Sequence, residues 1–254
     1  MKLTFLGTGA ADVLREVKED VSVGWGNKSV RRYSSTLLDD KLLFDCSIFT
    51  LGGMDLCKKD KSKIEHLLIT HFHSDHINFD CVKELAKNTE KPLSVWHLEG
   101  AIVPEIENAV FHPLKSGVPT KIGEYTVTAL NANHDCFPAH YVVEKGNKKI
   151  FYGLDGAWLL HDTYYAMKDA KFDAMIMDAT VGDYDGDYRM AEHNSIPMIR
   201  SMEKSFKVFG IAGENTKIIL SHLATSLHKP HAETEELVKN DGYIVAFDGL
   251  EMEI

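Results

Sequence analysis

The 254-residue chain lacks long apolar runs. No stretch approaches the roughly 18 to 20 consecutive apolar residues of a membrane-spanning helix, so no membrane partner is expected. The opening run Met1–Gly7 is too short for a secretory signal and reads as a first strand, which makes a cytoplasmic protein the expectation. Cysteines are few and scattered. Cys46, Cys57, Cys81 and Cys136 form no C-x-x-C pair, which argues against a zinc knuckle and a disulfide framework and predicts reduced, mostly buried thiols. Positive charge is also in deficit. Twenty-eight Lys and Arg stand against 38 Asp and Glu, a net charge of −10, and this argues against nucleic acid as the partner. The one dense basic run, Lys58–Lys63, reads as a solvated face. A small anionic substrate remains compatible, because bound metal ions bring local positive charge. Low-complexity segments, linkers and short repeats are absent, and residues 1–254 read as a single domain.

What is present is an alternation of short apolar runs with polar turns. Strands are expected at Lys2–Leu6, Ser35–Leu38, Lys41–Asp45, His66–Thr70, Leu93–Trp96, Tyr125–Asn131, His140–Lys145, Lys148–Gly153, Ala174–Asp178, Lys217–Leu220 and Ile244–Phe247. Helices are expected at Phe79–Lys87, Thr163–Ala170, Ile196–Phe209 and Ala232–Asn240. Strands outnumber helices and cluster in both halves. That pattern suggests an α/β protein in which two packed sheets carry helices outside, a four-layer α/β/β/α sandwich.

The most informative segment is Leu67-Leu68-Ile69-Thr70-His71-Phe72-His73-Ser74-Asp75-His76. An apolar strand runs directly into three histidines and an aspartate. Residues two apart in extended chain face one side, so His71 and His73 can converge on one cation, while Asp75 and His76 can serve a second. Imidazole with carboxylate suits zinc, manganese or iron.

This H-x-H-x-D-H segment resembles the signature of the metallo-β-lactamase superfamily, and the likeness extends through most of the chain. Met1–Asp12 is similar to that family's opening strand and Gly-Thr-Gly turn. Ser34–Leu38 with Leu42–Cys46 resembles its hairpin ending in an aspartate. His134 in Asn131–Asp135, Asp155 after Tyr152-Gly153-Leu154, and His222 after Ile218–Ser221 match its later motifs. The resemblance implies two divalent ions, zinc first, with manganese or iron as alternatives. His71, His73 and His134 would hold one, Asp75, His76 and His222 the other, and Asp155 would bridge them. Phe79 departs from the family, where many members have glycine, and a changed helix start is expected there. In phosphodiesterase branches a histidine placed like His193 reaches into the site, so His193 and Asp75 are the expected catalytic groups. A metal-activated hydroxide would attack, Asp75 orienting it, and His193 or a water would protonate the leaving oxygen.

The pattern is most similar to the branch of cyclic phosphodiesterases and tRNA 3′-processing endonucleases. It implies a phosphodiesterase for a small cyclic or nucleotide-like phosphodiester. A hydrolase of lactones, thioesters or β-lactams on the same metal centre is the alternative. Homodimers are common among relatives, and a homodimer is left open. Asp45 and Asp178 are read as orienting metal-binding histidines or as cap residues. Asn194 or Ser195 is the expected N-cap before Pro197. His66, His97, His112, His161, His228 and His231 are expected in surface or capping roles, with His97 and His112 in loops. His140 is left open. Lys28, Arg31 and Arg32 are expected to be solvated, contact with an anion being the other reading. Trp25 is expected to pack its loop onto the core.

Overall fold

The computed structural model describes residues 1–254 and contains two seven-stranded sheets. One is built from β1 (Lys2–Gly7), β2 (Ser35–Leu38), β3 (Leu42–Phe44), β4 (His66–Leu68), β5 (Leu93–Leu98) and β6 (Ala109–Leu114). Chain-terminal β14 (Glu251–Glu253) pairs antiparallel with β1. The other sheet is built from β7 (Thr120–Ile122), β8 (Tyr125–Asn131), β9 (Ala139–Lys145), β10 (Lys148–Gly153), β11 (Phe172–Asp178), β12 (Ala212–Ser221) and β13 (Ile244–Val245). Six α-helices accompany them: α1 (Arg15–Glu19), α2 (Thr50–Leu56), α3 (Phe79–Asn88), α4 (His161–Ala166), α5 (Ile196–Val208) and α6 (His231–Val238). None is long and apolar enough to cross a membrane.

The layering follows from strand alternation, in which successive side chains take opposite faces. In β10 to β12, Ile150, Tyr152, Ala174, Ile176 and Ile219 join Leu3, Phe5 and Phe44 in a core between the sheets. Their neighbours Phe151, Met175, Met177, Ile218 and Leu220 pack with Ile199 and Phe206 of α5 in a second core. A third core sets Leu43, Leu67 and Val95 against Met54 of α2 and Val82 and Leu85 of α3. Three apolar layers therefore separate four structural layers, the α/β/β/α sandwich expected. Phe44 and Tyr152 stack across the central core with centroids 4.1 Å apart.

Strands β3 to β6 run parallel to one another, and so do β10 to β13. Ligand sites in such sheets lie beyond the carboxyl ends of the strands. Here these ends carry Asp45, the 69–76 loop, Asp155, the 178–180 turn and His222.

Several expectations need correction. Strands β6, β7 and β14 and helices α1 and α2 were not anticipated. β6 contains Pro113 but lies at a sheet edge, where proline is tolerated. α2 contains Gly52 and Gly53, yet a Cβ at Gly53 would lie 2.9 Å from the Leu6 carbonyl oxygen, so close packing on β1 requires the glycine. β13 stops at Val245, short of Phe247. His97 and His112 lie in β5 and β6, not in loops, and His97 and His231 are buried. Only Cys46 among the thiols is buried, and Cys136 is exposed. Arg31 and Arg32 are buried, not solvated. Arg32 donates to the carbonyls of Val21 and Val23 and pairs with Asp248, and its guanidinium carbon lies 5.1 Å from the Trp25 ring. Trp25 is half-buried against this guanidinium and joins none of the apolar cores.

Candidate metal centre

The loop after β4 folds back on itself, His76 N–H and Ile77 N–H both donating to the His73 carbonyl. His71 Nε2 lies 3.0 Å from His73 Nδ1, and His134 Nε2 lies 3.3 Å from the same atom. On the other side His76 Nε2 lies 3.2 Å from His222 Nε2, with Asp75 Oδ2 3.7 Å from each. Asp155 Oδ2 sits between the two groups, touching His76 Nε2 and standing 3.2 Å from His222 Nε2 and 3.9 Å from His71 Nε2. All seven residues singled out from the sequence therefore converge, although 146 positions separate His76 from His222. α3 starts at Phe79 with Asn78 as its cap, accepting from Cys81 N–H.

Surrounding groups set which ring nitrogen is free. The Asp45 carboxylate faces His76 Nδ1 at 2.7 Å and takes Thr70 N–H at 2.8 Å. Thr70 Oγ1 faces His71 Nδ1 at 3.2 Å. Thr180 Oγ1 donates to the His222 carbonyl and so accepts from His222 Nδ1, 2.7 Å away. Asp135 Oδ1 lies 2.9 Å from His73 Nε2. With these nitrogens protonated toward oxygen acceptors, lone pairs remain on Nε2 of His71, His76 and His222 and on Nδ1 of His73. Nitrogen lone pairs facing one another near 3 Å repel unless a cation lies among them. The donor set therefore fits divalent metal ions, and such oriented imidazoles are how proteins hold them. Asp155 Oδ2 is also buried without a conventional hydrogen-bond donor.

Electrostatics point the same way. Burial alone would push the Asp155 carboxyl up, but His222, His76 and His71 hold it well below the usual range. Burial would likewise neutralise His76, yet Asp155 and Asp45 raise it well above the ordinary imidazole value, so that a proton occupies Nε2 wherever no other cation does. Burial lowers His71, with His76 adding to the effect. The cluster calls for positive charge at its centre.

Beside it stands a second arrangement. His193 Nδ1 lies 2.9 Å from Asp178 Oδ2 and 3.2 Å from Asp155 Oδ1. Asp178 Oδ1 is fixed by the backbone N–H groups of Thr180 and Asn194. Burial works against charge on His193, but Asp178 outweighs it and holds the imidazole up at about 9. Asp45 thus orients a histidine of the predicted metal set, whereas the main partner of Asp178 is His193. The N-cap of α5 is Ser195, accepting from Met198 N–H. Asn194 instead braces the Asp155 loop, taking Trp158 N–H and donating to the Gly156 carbonyl. His140 is fully buried behind that loop.

A cleft of about 320 Å³ opens onto the cluster, lined by His73, Asp75, His134, Asp155, His193 and His222. Arg189, Glu192 and Asp12 also line it and were not singled out from the sequence. Glu192 adjoins His193, which could have flagged it, whereas Arg189, the one Arg or Lys lining the cleft, is marked only by the fold. Asp135 and Thr180 were missed as well, since nothing local marks their partners.

A family model described as "Beta-lactamase superfamily domain" matches residues 40–210. The chain belongs to the metallo-β-lactamase superfamily. Ribonuclease Z of Methanothermobacter thermautotrophicus is 24% identical over 167 residues, covering 59% of this chain and 50% of that protein. The chain spans about half the length of the curated relatives it matches. Among solved structures, the metallo-β-lactamase fold protein YhfI from Bacillus subtilis superposes with TM-score 0.74 at 17% identity, covering 100% of this chain and 99% of that one. A diphosphatase from the PhnP family gives 0.73 at 18% identity, covering 100% and 96%. At these identities the structural matches speak for the metallo-β-lactamase fold alone.

Proposed function

We propose that this superfamily member is a single-domain, dinuclear metal-dependent phosphodiesterase for small cyclic or nucleotide-like phosphodiesters. His71, His73 and His134 would hold one ion and Asp75, His76 and His222 the other, with Asp155 between them. Imidazole and carboxylate donors favour zinc, with manganese or iron compatible. When bound, the ions supply Lewis acidity and positive charge for attack of water on phosphorus near neutral pH.

The protein's own groups do the rest. The Asp75 carboxylate lines the cleft and accepts a hydrogen bond from the attacking water, orienting it. Asp178 fixes His193 through Nδ1, leaving Nε2 as the free ring nitrogen of a side chain lining the cleft. As the bond from phosphorus to the leaving oxygen breaks, His193 Nε2–H protonates that oxygen. The observation that carries this reading is the Asp178–His193 pair set against the seven-donor cluster. It provides a held proton donor that a metal-storage site has no use for. A cleft of about 320 Å³ is at the lower end for small-molecule sites, about 300–1,000 Å³. With a net charge of −10 and Asp12 and Glu192 on the cleft wall, a compact diester suits it better than folded RNA.

The test is turnover by zinc-loaded protein of bis-p-nitrophenyl phosphate, compared with nitrocefin and a lactone. Diester turnover is expected, and lactone or β-lactam turnover without it would overturn the reading. His193→Ala should lower kcat by about 10²–10⁴-fold with metal content unchanged. Loss of metal from this variant would refute the role given to His193.

A further inference from the structure

Four of the five arginines form an ion pair: Arg15 with Glu19, Arg32 with Asp248, Arg189 with Asp187, and Arg200 with Asp183 and Asp241. Arg31 forms none, although it is only 4% exposed. Its Nη1 donates to Thr8 Oγ1 and the Ala246 carbonyl, and its Nη2 faces His231 Nδ1 at 3.3 Å. Asp248, the carboxylate that most influences it, is already engaged by the Thr8 hydroxyl and by the Arg32 backbone N–H and guanidinium. Glu235 reaches Arg31 only through His231 and also pairs with Lys28. Burial lowers the Arg31 guanidinium to about 10, which still leaves it charged at neutral pH. A buried charge without a counter-charge is strongly unfavourable.

Arg31 lines a cavity of about 220 Å³ with Ser29, His228, Pro230, His231 and the exposed Lys229, and no carboxylate lines it. Lys229 has no carboxylate partner of its own. A hollow of about 280 Å³ adjoins it, sharing His228 and Lys229 with this cavity and Ser226 and Leu227 with the metal cleft. The wall from the metal centre to Arg31 is thus one segment of chain, residues 226–231.

We infer that the Arg31–Lys229 cavity is a subsite for a phosphoryl anion, taking a second phosphate of a substrate whose diester lies at the metal centre. The anion would supply the missing counter-charge to Arg31, and Lys229 and the Ser29 hydroxyl would close over it. The substrate part of this assignment rests on the phosphodiesterase reading. The anion site itself does not.

Two measurements on the full zinc-loaded chain test it. In the first, inorganic phosphate is titrated calorimetrically. Two saturable sites are expected, and Lys229→Ala and Arg31→Met should each weaken one of them at least tenfold, with Lys229→Arg restoring it. Phosphate binding that neither substitution alters would overturn the assignment, and Lys229, being exposed, gives a variant whose folding is not at stake. In the second, KM is compared for thymidylyl-thymidine with and without a 5′-phosphate. A lower KM for the phosphorylated form, erased by Lys229→Ala, assigns the subsite to the substrate. Equal KM values alongside phosphate binding assign it to free phosphate and overturn the substrate role. If neither dinucleotide is cleaved while the phosphate site persists, the phosphodiesterase reading falls and the anion site stands.

Discussion

Replacing Asp45 with asparagine exchanges one carboxylate oxygen for an amide nitrogen in a site with no room for reorganisation. Asp45 is fully buried. Its Oδ1 accepts from Thr70 N–H at 2.8 Å and its Oδ2 faces His76 Nδ1 at 2.7 Å. In Asp45→Asn the amide oxygen keeps Thr70 N–H, and the amide N–H₂ then faces His76 Nδ1. Two donors cannot share that contact, so the His76 proton moves to Nε2, the atom that faces His222 and Asp155. Binding a cation at Nε2 would require a buried donor to go unpaired, at about 1–3 kcal/mol. Second partners of metal-binding histidines typically matter by about 10- to 100-fold in metal affinity. One of two zinc equivalents should therefore weaken by that factor in competition with a chromophoric chelator, the other remaining as in wild type. In the metal-free state the asparagine retains the Thr70 contact, so urea unfolding should show less destabilisation than for Asp45→Ala, which leaves Thr70 and His76 donors unpaired. An asparagine variant that holds both equivalents at wild-type affinity would refute the tautomer argument.

Chelation should lower the thermal midpoint of the zinc-loaded protein. Ligand at a hundredfold excess over its dissociation constant stabilises by about 2.7 kcal/mol, and an unchanged midpoint in scanning calorimetry would deny a folded-state metal site. Glu251 is held down to about 2 from an ordinary 4.5 by Lys2 and Lys59, so its contribution to stability is complete above pH 4.5 and is lost as pH falls toward 2. The stability gap between wild type and Glu251→Gln in urea should accordingly close across that window, and a gap that widens there would contradict the sign. A Cβ at Gly156 would lie 2.7 Å from His140 Nε2, so Gly156→Ala should cost about 1–3 kcal/mol by overpacking. Adding His140→Ala should relieve it, giving a double-mutant coupling above about 1 kcal/mol, and strict additivity would show that the two side chains do not compete for space.

The candidate centre was legible because its donors obey local rules. His71 to His76 lie in one short stretch, and His134, Asp155 and His222 each follow closely on an apolar strand. The grouping of strand-length apolar runs in both halves of the chain likewise pointed to two packed sheets. What was not legible depends on distant partners. The burial of Arg32 requires Asp248, 216 positions away, and that of Arg31 requires Thr8, Ala246 and His231. Lys-rich and Arg-rich polar loops ordinarily point to water, and only the closed tertiary structure shows otherwise. Short edge strands such as β7 and β14 carry too few residues for alternation to register. In β6 the single proline broke a pattern that an edge position tolerates.

Backbone conformation accounts for the choice of residues at the strand ends. Asp45, Asp155 and His222 all have positive φ, at 61°, 50° and 56°. Most side chains resist this left-handed region, and glycine would occupy it freely, but glycine offers neither a ligand atom nor an acceptor. Aspartate and histidine are among the non-glycine residues found there more often than others. The positions are clamped: Asp45 N–H donates to the Leu68 carbonyl, and the His222 carbonyl accepts from Thr180 Oγ1. Strain of this kind persists only where surrounding contacts over-determine it, and it clusters at working sites. Here the turn that ends each strand also presents a carboxylate or imidazole to a point shared by both sheets. The fold and the centre are thus specified by the same residues, and a glycine at any of the three would relax the backbone while removing the group that the turn serves to place.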